Sequence, residues 1–192
     1  MKTRTVIAIV TATMTFAACG GSSDSSADTD TSTASDAAVN FNDDDVMFAQ
    51  MMIPHHEQAI ELADMALDPS IGARPEIVEL ATQIKGAQDP EIEQMKALLA
   101  SWGQSVTADQ NVDHSSMMGG MLATAELDAL GLLTGAEFDV AWAKAMILHH
   151  EGAIAMANDV LAAGINGDIR VLAEAIIAGQ AAEIDVLKTL AS

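Results

Sequence analysis

Cysteine and cationic residues are both scarce in this chain. Its 192 residues include one cysteine, and its 8 lysines and arginines face 28 aspartates and glutamates, for a net charge of −20. A charge of this sign argues against binding to nucleic acids and to anionic lipid headgroups, since both attract cationic surfaces. It would raise the local concentration of cations, although solubility alone also accounts for it.

Signatures of enzymatic chemistry are also missing. The sequence has no nucleophile paired with a base, no phosphate-binding loop and no cofactor motif. We therefore expect a protein that is not an enzyme. Metal-dependent redox activity is the enzymatic alternative that the sequence leaves open.

The N-terminus resembles an export signal. Lys2 and Arg4 precede an apolar and threonine-rich stretch, residues 6–18, which is too short to span a bilayer as a stable anchor. The stretch ends in Phe16-Ala-Ala-Cys19, which is similar to a bacterial lipoprotein cleavage site and predicts lipidation of Cys19. Ordinary secretion with Cys19 incidental is the alternative. We expect an exported protein, anchored by lipid on the outer face of the cytoplasmic membrane, or periplasmic or extracellular.

Composition divides the chain into three segments. Residues 1–18 form the expected signal peptide. Residues 19–40 are mostly Gly, Ser, Asp, Thr and Ala, and they carry too little apolar surface to order themselves, which is typical of a tether. The pattern is helical in residues 41–192, the expected domain. If Cys19 is lipidated, this domain has no free thiol and no disulfide, so a soft-metal site in it must use methionine.

Two stretches of this domain repeat each other around a histidine pair. Phe48-Ala-Gln-Met-Met-Ile-Pro-His-His-Glu-Gln-Ala-Ile60 is matched by Trp142-Ala-Lys-Ala-Met-Ile-Leu-His-His-Glu-Gly-Ala-Ile154. The apolar positions of the segment that follows each motif also correspond. A whole helical hairpin is therefore duplicated. The expected parts are repeat 1 (41–102), a long connector (103–133) and repeat 2 (134–192).

Two amphipathic hairpins bury their apolar faces most simply as a four-helix bundle. We predict an all-α, ferritin-like four-helix bundle whose connector crosses from one end of the bundle to the other. Asn42 is the predicted N-cap of the first helix, which should end near Leu67. Thr134 and Glu137 predict a capping box for the first helix of repeat 2. A short helix is expected at 123–130.

Methionine and histidine share one face of each repeated helix. Residues three and four apart lie on one side of a helix, so each methionine faces the same way as the histidine pair that follows it. Glu57 and Glu151 point away on the helical wheel. Both motifs fall at mid-helix, so they should meet at one height of the bundle. The candidate ligands are Met52, His55, His56, Met146, His149 and His150.

This donor set favours a soft metal. Thioether sulfur prefers Cu(I), imidazole suits copper, zinc and nickel, and a site poor in carboxylates disfavours magnesium, calcium and manganese. A ferritin-like di-iron site needs a glutamate three residues before the histidine, which neither pair has. We expect an extracytoplasmic protein for copper sequestration, tolerance or transfer, with Cu(I) favoured over Cu(II). Another soft or borderline metal, a copper-transfer partner and a homo-oligomer are compatible with it.

The same residues also have a structural interpretation. A buried histidine is most often satisfied by a hydrogen-bonding partner, and a methionine on an apolar face is most often core filler. The alternative is therefore a non-enzymatic interaction or structural module of the cell envelope, whose histidine pairs organise the core or a subunit interface. The residues leave open whether the motifs build one shared site, two separate sites or a satisfied polar core.

The connector contains a second group of candidate donors. Residues 113–121 read Asp-His-Ser-Ser-Met-Met-Gly-Gly-Met. This segment could wrap or shuttle Cu(I), or it could be a mobile surface segment whose methionines are simply exposed. Met51 is a further secondary candidate, and because it is Ala145 in the second copy, the halves need not bind equivalently. The connector candidates are His114, Met117, Met118 and Met121.

These motifs resemble the bacterial family called domain of unknown function 305. The resemblance rests on the two His-His-Glu motifs, the Gln-x-x-Glu-Ile segments at 88–92 and 180–184, and the methionine-rich connector. It covers residues 41–192. It implies a ferritin-like four-helix fold, export or membrane tethering, and a part in copper binding and resistance outside the cytoplasm. It also implies that the six methionines and histidines of the repeat are the positions to test.

Overall fold

Helices account for all regular structure in the described part of the chain. The computed structural model describes residues 40–109 and 118–192, which contain no strand. The all-α prediction is confirmed. The expected signal peptide, Cys19, almost all of the tether, and the candidates His114 and Met117 lie outside the described residues. The helices are α1 (Asp43–Leu67), α2 (Pro75–Ser101), α3 (Thr124–Gly131), α4 (Gly135–Ala163) and α5 (Gly167–Leu190).

The four long helices form two hairpins. α1 packs against α2, and α4 packs against α5, as the duplicated sequence requires. α1 also packs along α4, whereas α2 and α5 contact each other over a short stretch only. The short α3 lies against α4. The predicted four-helix bundle is therefore confirmed, with α1 and α4 as its central pair. No helix among the described residues has the length and apolarity needed to cross a membrane.

α1 and α4 run in opposite directions. The side-chain amide of Asn42, before α1, donates a hydrogen bond to the carbonyl of Ala163 at the end of α4, at 2.9 Å. Near the other end, the indole N–H of Trp142 on α4 donates to the carbonyl of Leu62 on α1, at 2.8 Å. These two contacts set the register of the pair and bring the two histidine motifs to one height.

A reciprocal cap fixes the start of α1. The Asn42 side chain accepts from the Asp45 N–H at 3.0 Å, and the Asp45 carboxylate accepts from the Asn42 N–H at 2.9 Å. The same carboxylate is fully buried and also accepts from the N–H groups of Ile165 and Asn166. These lie in the turn between α4 and α5. One side chain therefore joins the first helix to the opposite hairpin, and the predicted N-cap at Asn42 is confirmed.

The predicted capping box at the start of α4 is wrong. Thr134 occupies the N-cap position, but its side chain makes no capping hydrogen bond. Gly135 adopts a positive φ of 56°, and its N–H donates to the carbonyl of Ile71 at 2.8 Å. The backbone between α1 and α2 therefore satisfies a donor of this helix start, which a local sequence pattern cannot reveal.

The Asp45 contacts predict a large effect of one substitution. Asp45→Ala should lower the free energy of unfolding by about 2–4 kcal/mol, because it removes a cap and leaves buried N–H donors unpaired. Urea denaturation measures this loss. Asp43→Ala is the matched control, since Asp43 is exposed in the same helical turn, and it should cost less than about 1 kcal/mol. Equal losses in the two variants would contradict the account.

Candidate metal centre

Four imidazole rings lie in one layer at the centre of the bundle. His55 and His56 on α1, and His149 and His150 on α4, are all fully buried. The rings of His55 and His149 lie against each other, with centroids 3.9 Å apart and planes tilted by 42°. The centroids of His149 and His150 are 6.3 Å apart. The two repeated motifs therefore meet at mid-bundle.

Two glutamates on the outer helices contact the second histidine of each pair. Oε2 of Glu91 on α2 accepts from Nε2 of His56 at 2.8 Å. Oε2 of Glu183 on α5 lies 2.8 Å from Nε2 of His150. Each hairpin thus supplies a carboxylate to its own histidine pair.

Sequence reasoning gave these two glutamates no role. Glu91 and Glu183 stand at corresponding positions of the repeated Gln-x-x-Glu-Ile segments. That correspondence was the signal by which they could have been found, because a polar residue retained on the buried side of both copies needs a partner. Glu57 and Glu151, which adjoin the histidines in sequence, are exposed as the helical wheel predicted.

Residues 118–122 of the connector pass over the layer, and we call them the strap. The carbonyl of Gly119 lies 3.1 Å from Nε2 of His55. Leu122 exchanges two backbone hydrogen bonds with the side chain of Gln58 on α1, each at 2.8 Å. The strap therefore holds one histidine of the first pair and is itself held by α1.

Glycines make this close passage possible. A Cβ atom on Gly152 of α4 would lie 1.7 Å from the carbonyl oxygen of Gly119. A Cβ atom on Gly120, whose φ is 81°, would lie 2.1 Å from the carbonyl oxygen of Leu148. Gly152 corresponds in the repeat to Gln58. One copy thus binds the strap with a side chain, and the other makes room for it by having none.

The methionine candidates lie around the layer. Met52 and Met146 are fully buried, but they belong to different apolar clusters, one on each side of the histidines. Met51 is 5% exposed and belongs to the same cluster as Met52. Met118 is partly buried against that cluster, and Met121 lines a surface groove beside α4. The described part of the connector is therefore packed on the bundle.

Hydrogen-bond chemistry identifies the free nitrogen of these rings. Carbonyl and carboxylate oxygens can only accept, so Nε2 of His55 and of His56 carries a proton, which in a neutral ring leaves the lone pair on Nδ1. The carboxylate beside His150 favours the same tautomer. Nδ1 of all three rings, and both ring nitrogens of His149, are buried without a hydrogen-bond partner among the described residues. Nε2 of His150 is close to Glu183, but the geometry of this contact falls short of a hydrogen bond. The layer therefore holds nitrogen lone pairs that nothing in the described structure satisfies.

Burial keeps the central pair of rings neutral. Desolvation is the main cause that lowers the pKa of His55 to about 4, and the hydrogen bond to Gly119 offsets it only in part. Desolvation likewise lowers the pKa of His149 well below its ordinary value, and the neighbouring imidazoles lower it further. The His55 carbonyl raises the pKa of His149 slightly, but its geometry falls short of a hydrogen bond. Both rings are therefore in the neutral form that binds metals at pH 7.

Imidazole and carboxylate groups alone do not form a complete cage here. Among the described residues, no three His, Cys, Asp or Glu side chains are gathered so as to hold a metal ion. Thioether sulfur is a further donor available near this layer, from Met52 and Met146 in the apolar clusters on its two sides. Such a mixed set suits a soft cation.

The low pKa values predict that acid destabilises the metal-free protein. His55 titrates near 6.5 when unfolded and near 4 when folded, so between these values the unfolded chain binds more protons. The stabilising contribution is complete above pH 6.5 and is lost as the pH falls to 4; for His55 alone it amounts to roughly 3 kcal/mol. Urea denaturation at pH 7 and pH 4.5 measures it. His55→Gln should lose less stability over this range, and an equal loss in both proteins would contradict the explanation.

Solved structures share this fold. One is a protein of the domain of unknown function 305 (DUF305) family from Streptomyces coelicolor, thought to be secreted. Its sequence is 27% identical to this chain with a TM-score of 0.68, and the match covers 75% of this chain and 89% of that protein. A DUF305 fragment from Deinococcus radiodurans is 31% identical with a TM-score of 0.69, over 78% and 96%. CopM in its Cu(I)-bound form is 33% identical with a TM-score of 0.62, over 76% and 93%. CopM structures with Cu(II) and with silver bound are similar too.

Comparison with protein-family models agrees with the similarity to these solved structures. No curated protein matches the chain significantly. The family model described as Domain of unknown function (DUF305) matches residues 45–191, which include nearly all of the four bundle helices. The chain therefore belongs to the DUF305 family, as its repeated motifs indicated.

Proposed function

We propose that this protein binds copper outside the cytoplasm at its buried histidine layer, and that it thereby sequesters copper or passes it to a partner. The observation that carries the proposal is the set of buried imidazole nitrogens without partners among the described residues. Leaving such groups unsatisfied is costly, and a metal ion would satisfy them. The likeness to CopM, which is known with copper and with silver bound, supports copper as the ion.

The proposed ligands come from the two central helices. His55 and His149 present neutral rings to each other, and Met52 and Met146 approach the layer from opposite sides. His56 and His150 add two further imidazoles. Thioether sulfur and neutral imidazole in a buried, weakly polar site favour Cu(I) over Cu(II), since they supply soft donors and no negative charge.

Glu91 and Glu183 act as positioning residues in this proposal. A carboxylate that accepts a hydrogen bond from one ring nitrogen orients the ring and raises the basicity of the other nitrogen. Each glutamate is only about one-fifth exposed, at 21% and 18% of the side chain. Their contacts with His56 and His150 are therefore only weakly screened by water.

The location outside the cytoplasm rests on the N-terminal signal pattern. Lys2, Arg4 and the apolar stretch that follows them support export, and Cys19 is the proposed lipid attachment site. The Streptomyces coelicolor relative, thought to be secreted, is consistent with export. In that location the protein would meet copper before the ion reaches the cytoplasm, and a copper-transfer partner would also be extracytoplasmic.

The central site predicts a loss of Cu(I) binding in a variant with all four central histidines changed to alanine. The expected result is an affinity for Cu(I) reduced at least about tenfold, because most of the nitrogen donors are gone. Competition with a Cu(I) chelator measures the affinity. Copper should also raise the melting temperature of the wild-type protein and not that of the variant.

The fifth histidine supplies the matched control. His114→Ala leaves the central layer intact and should bind Cu(I) as tightly as the wild type. If His114→Ala loses binding while the four-histidine variant keeps it, the connector is the site. If neither substitution affects binding, and copper leaves melting unchanged, the central proposal fails in favour of the envelope interaction module.

The positioning role predicts a separate effect. Glu91→Gln and Glu183→Gln together should weaken Cu(I) binding about 10- to 100-fold, which is the usual effect of losing an outer-shell partner. The competition assay measures it, together with the pH dependence of binding, which should change because the rings lose the carboxylate charge beside them and keep only a neutral amide. Glu57→Gln with Glu151→Gln is the control, since both of those side chains are exposed. Equal affinity in the two double variants would rule out the role.

A further inference from the structure

A cavity lined by methionine opens beside the start of α1. It measures about 110 Å³ and lies between the first half of α1 and the last half of α4. Met47 and Met51 come from α1, and Met156 comes from α4. Three of the 12 methionines of the chain therefore line one cavity.

The cavity is graded from soft donors inside to carboxylates at its mouth. Met51 and Met156 are nearly buried, at 5% and 7% exposure, and Met47 is half-buried. Asp44 and Asp159 also line the cavity, and both are exposed to solvent. Carboxylates at the mouth raise the local concentration of cations. Thioethers within it select soft ones, since they bind Cu(I) and similar ions and have little affinity for calcium or magnesium.

We infer that Met47, Met51 and Met156 form a second site for a soft monovalent cation of the Cu(I) class, which collects the ion at the surface and supplies it to the histidine layer. The supply step rests on the function proposed above. Binding at the methionines does not, because these three residues are outside the proposed ligand set of the layer.

The helix geometry places this site on a path to the histidines. Met47, Met51 and His55 are spaced four residues apart and so form one stripe along α1. On the antiparallel α4, Met156 is two turns beyond His149 on the same face. With a rise of about 1.5 Å per residue, Met51 is only about 6 Å along the axis from His55. The ion would therefore pass between adjacent helical turns without leaving the α1–α4 seam.

Silver ion is the probe, since Ag(I) is soft, monovalent and stable in air. The protein is labelled with ¹³C at the methionine ε-methyl groups and titrated with silver nitrate in chloride-free buffer. The methyl resonances are assigned from single Met→Leu variants. In wild type and in the four-histidine variant alike, the methyl resonances of Met47, Met51 and Met156 should shift and reach saturation together. If none of these resonances moves in either protein, the inference is overturned.

Stoichiometry provides a second measurement. Leucine is close to methionine in volume, so Met47→Leu, Met51→Leu and Met156→Leu together should leave the fold intact and lower the silver bound by one equivalent. Met65→Leu, at a half-buried position of α1 in the other apolar cluster, should bind as much silver as wild type. Unchanged stoichiometry in the triple variant overturns the site.

The two proposals fail in distinguishable ways. If the four-histidine variant binds as much silver as wild type while the triple methionine variant binds one equivalent less, the methionine site stands and the histidine layer is not a metal site. If only the four-histidine variant loses silver, the histidine layer stands and the methionines of the cavity are core filler. The supply step is tested by following histidine ring resonances after mixing, which should shift more slowly in the triple methionine variant. An equal rate would overturn it.

Discussion

Four imidazole rings withdrawn from water at the middle of a helical bundle must find partners or stay neutral, and the surrounding structure is arranged around that need. α2 and α5 each bring a glutamate to one ring, and the strap brings the carbonyl of Gly119 to another. Hydrogen bonds satisfy the N–H side of His55 and His56, and the lone-pair side of both rings stays open among the described residues. The central pair, His55 and His149, is neutral, and a bound ion would stabilise the folded state by mass action.

The carboxylates and the soft donor groups of this protein lie in different places. Its large excess of carboxylates is mostly on the surface, where it attracts cations with little discrimination. The interior along the α1–α4 seam offers sulfur and neutral nitrogen, which discriminate by softness. In the proposed function, attraction and selection would therefore be carried out by different residues, and a hard divalent ion drawn to the surface would find few oxygen ligands further in.

Much of this could be predicted from the sequence, because the repeat is periodic and its chemistry is local. The helical spacing placed His55 and His149 inside and Glu57 and Glu151 outside, and the position of each motif at mid-helix brought the pairs together. What could not be predicted depends on contacts between distant segments. The Gly119 carbonyl over His55 belongs to a connector with no periodicity, and the pattern at Thr134 gave no sign that a distant carbonyl would bind the start of α4.

Duplication produces two equal halves, but a chain has only one linker between them, and that linker can take only one route. The strap follows the route beside α4 and is fastened to α1, so positions 58 and 152, which correspond in the repeat, now have opposite requirements. The side chain at the first position binds the strap, and a side chain at the second would collide with it. The two copies are therefore no longer interchangeable. The two-fold symmetry of the repeat is broken where the connector passes between the halves.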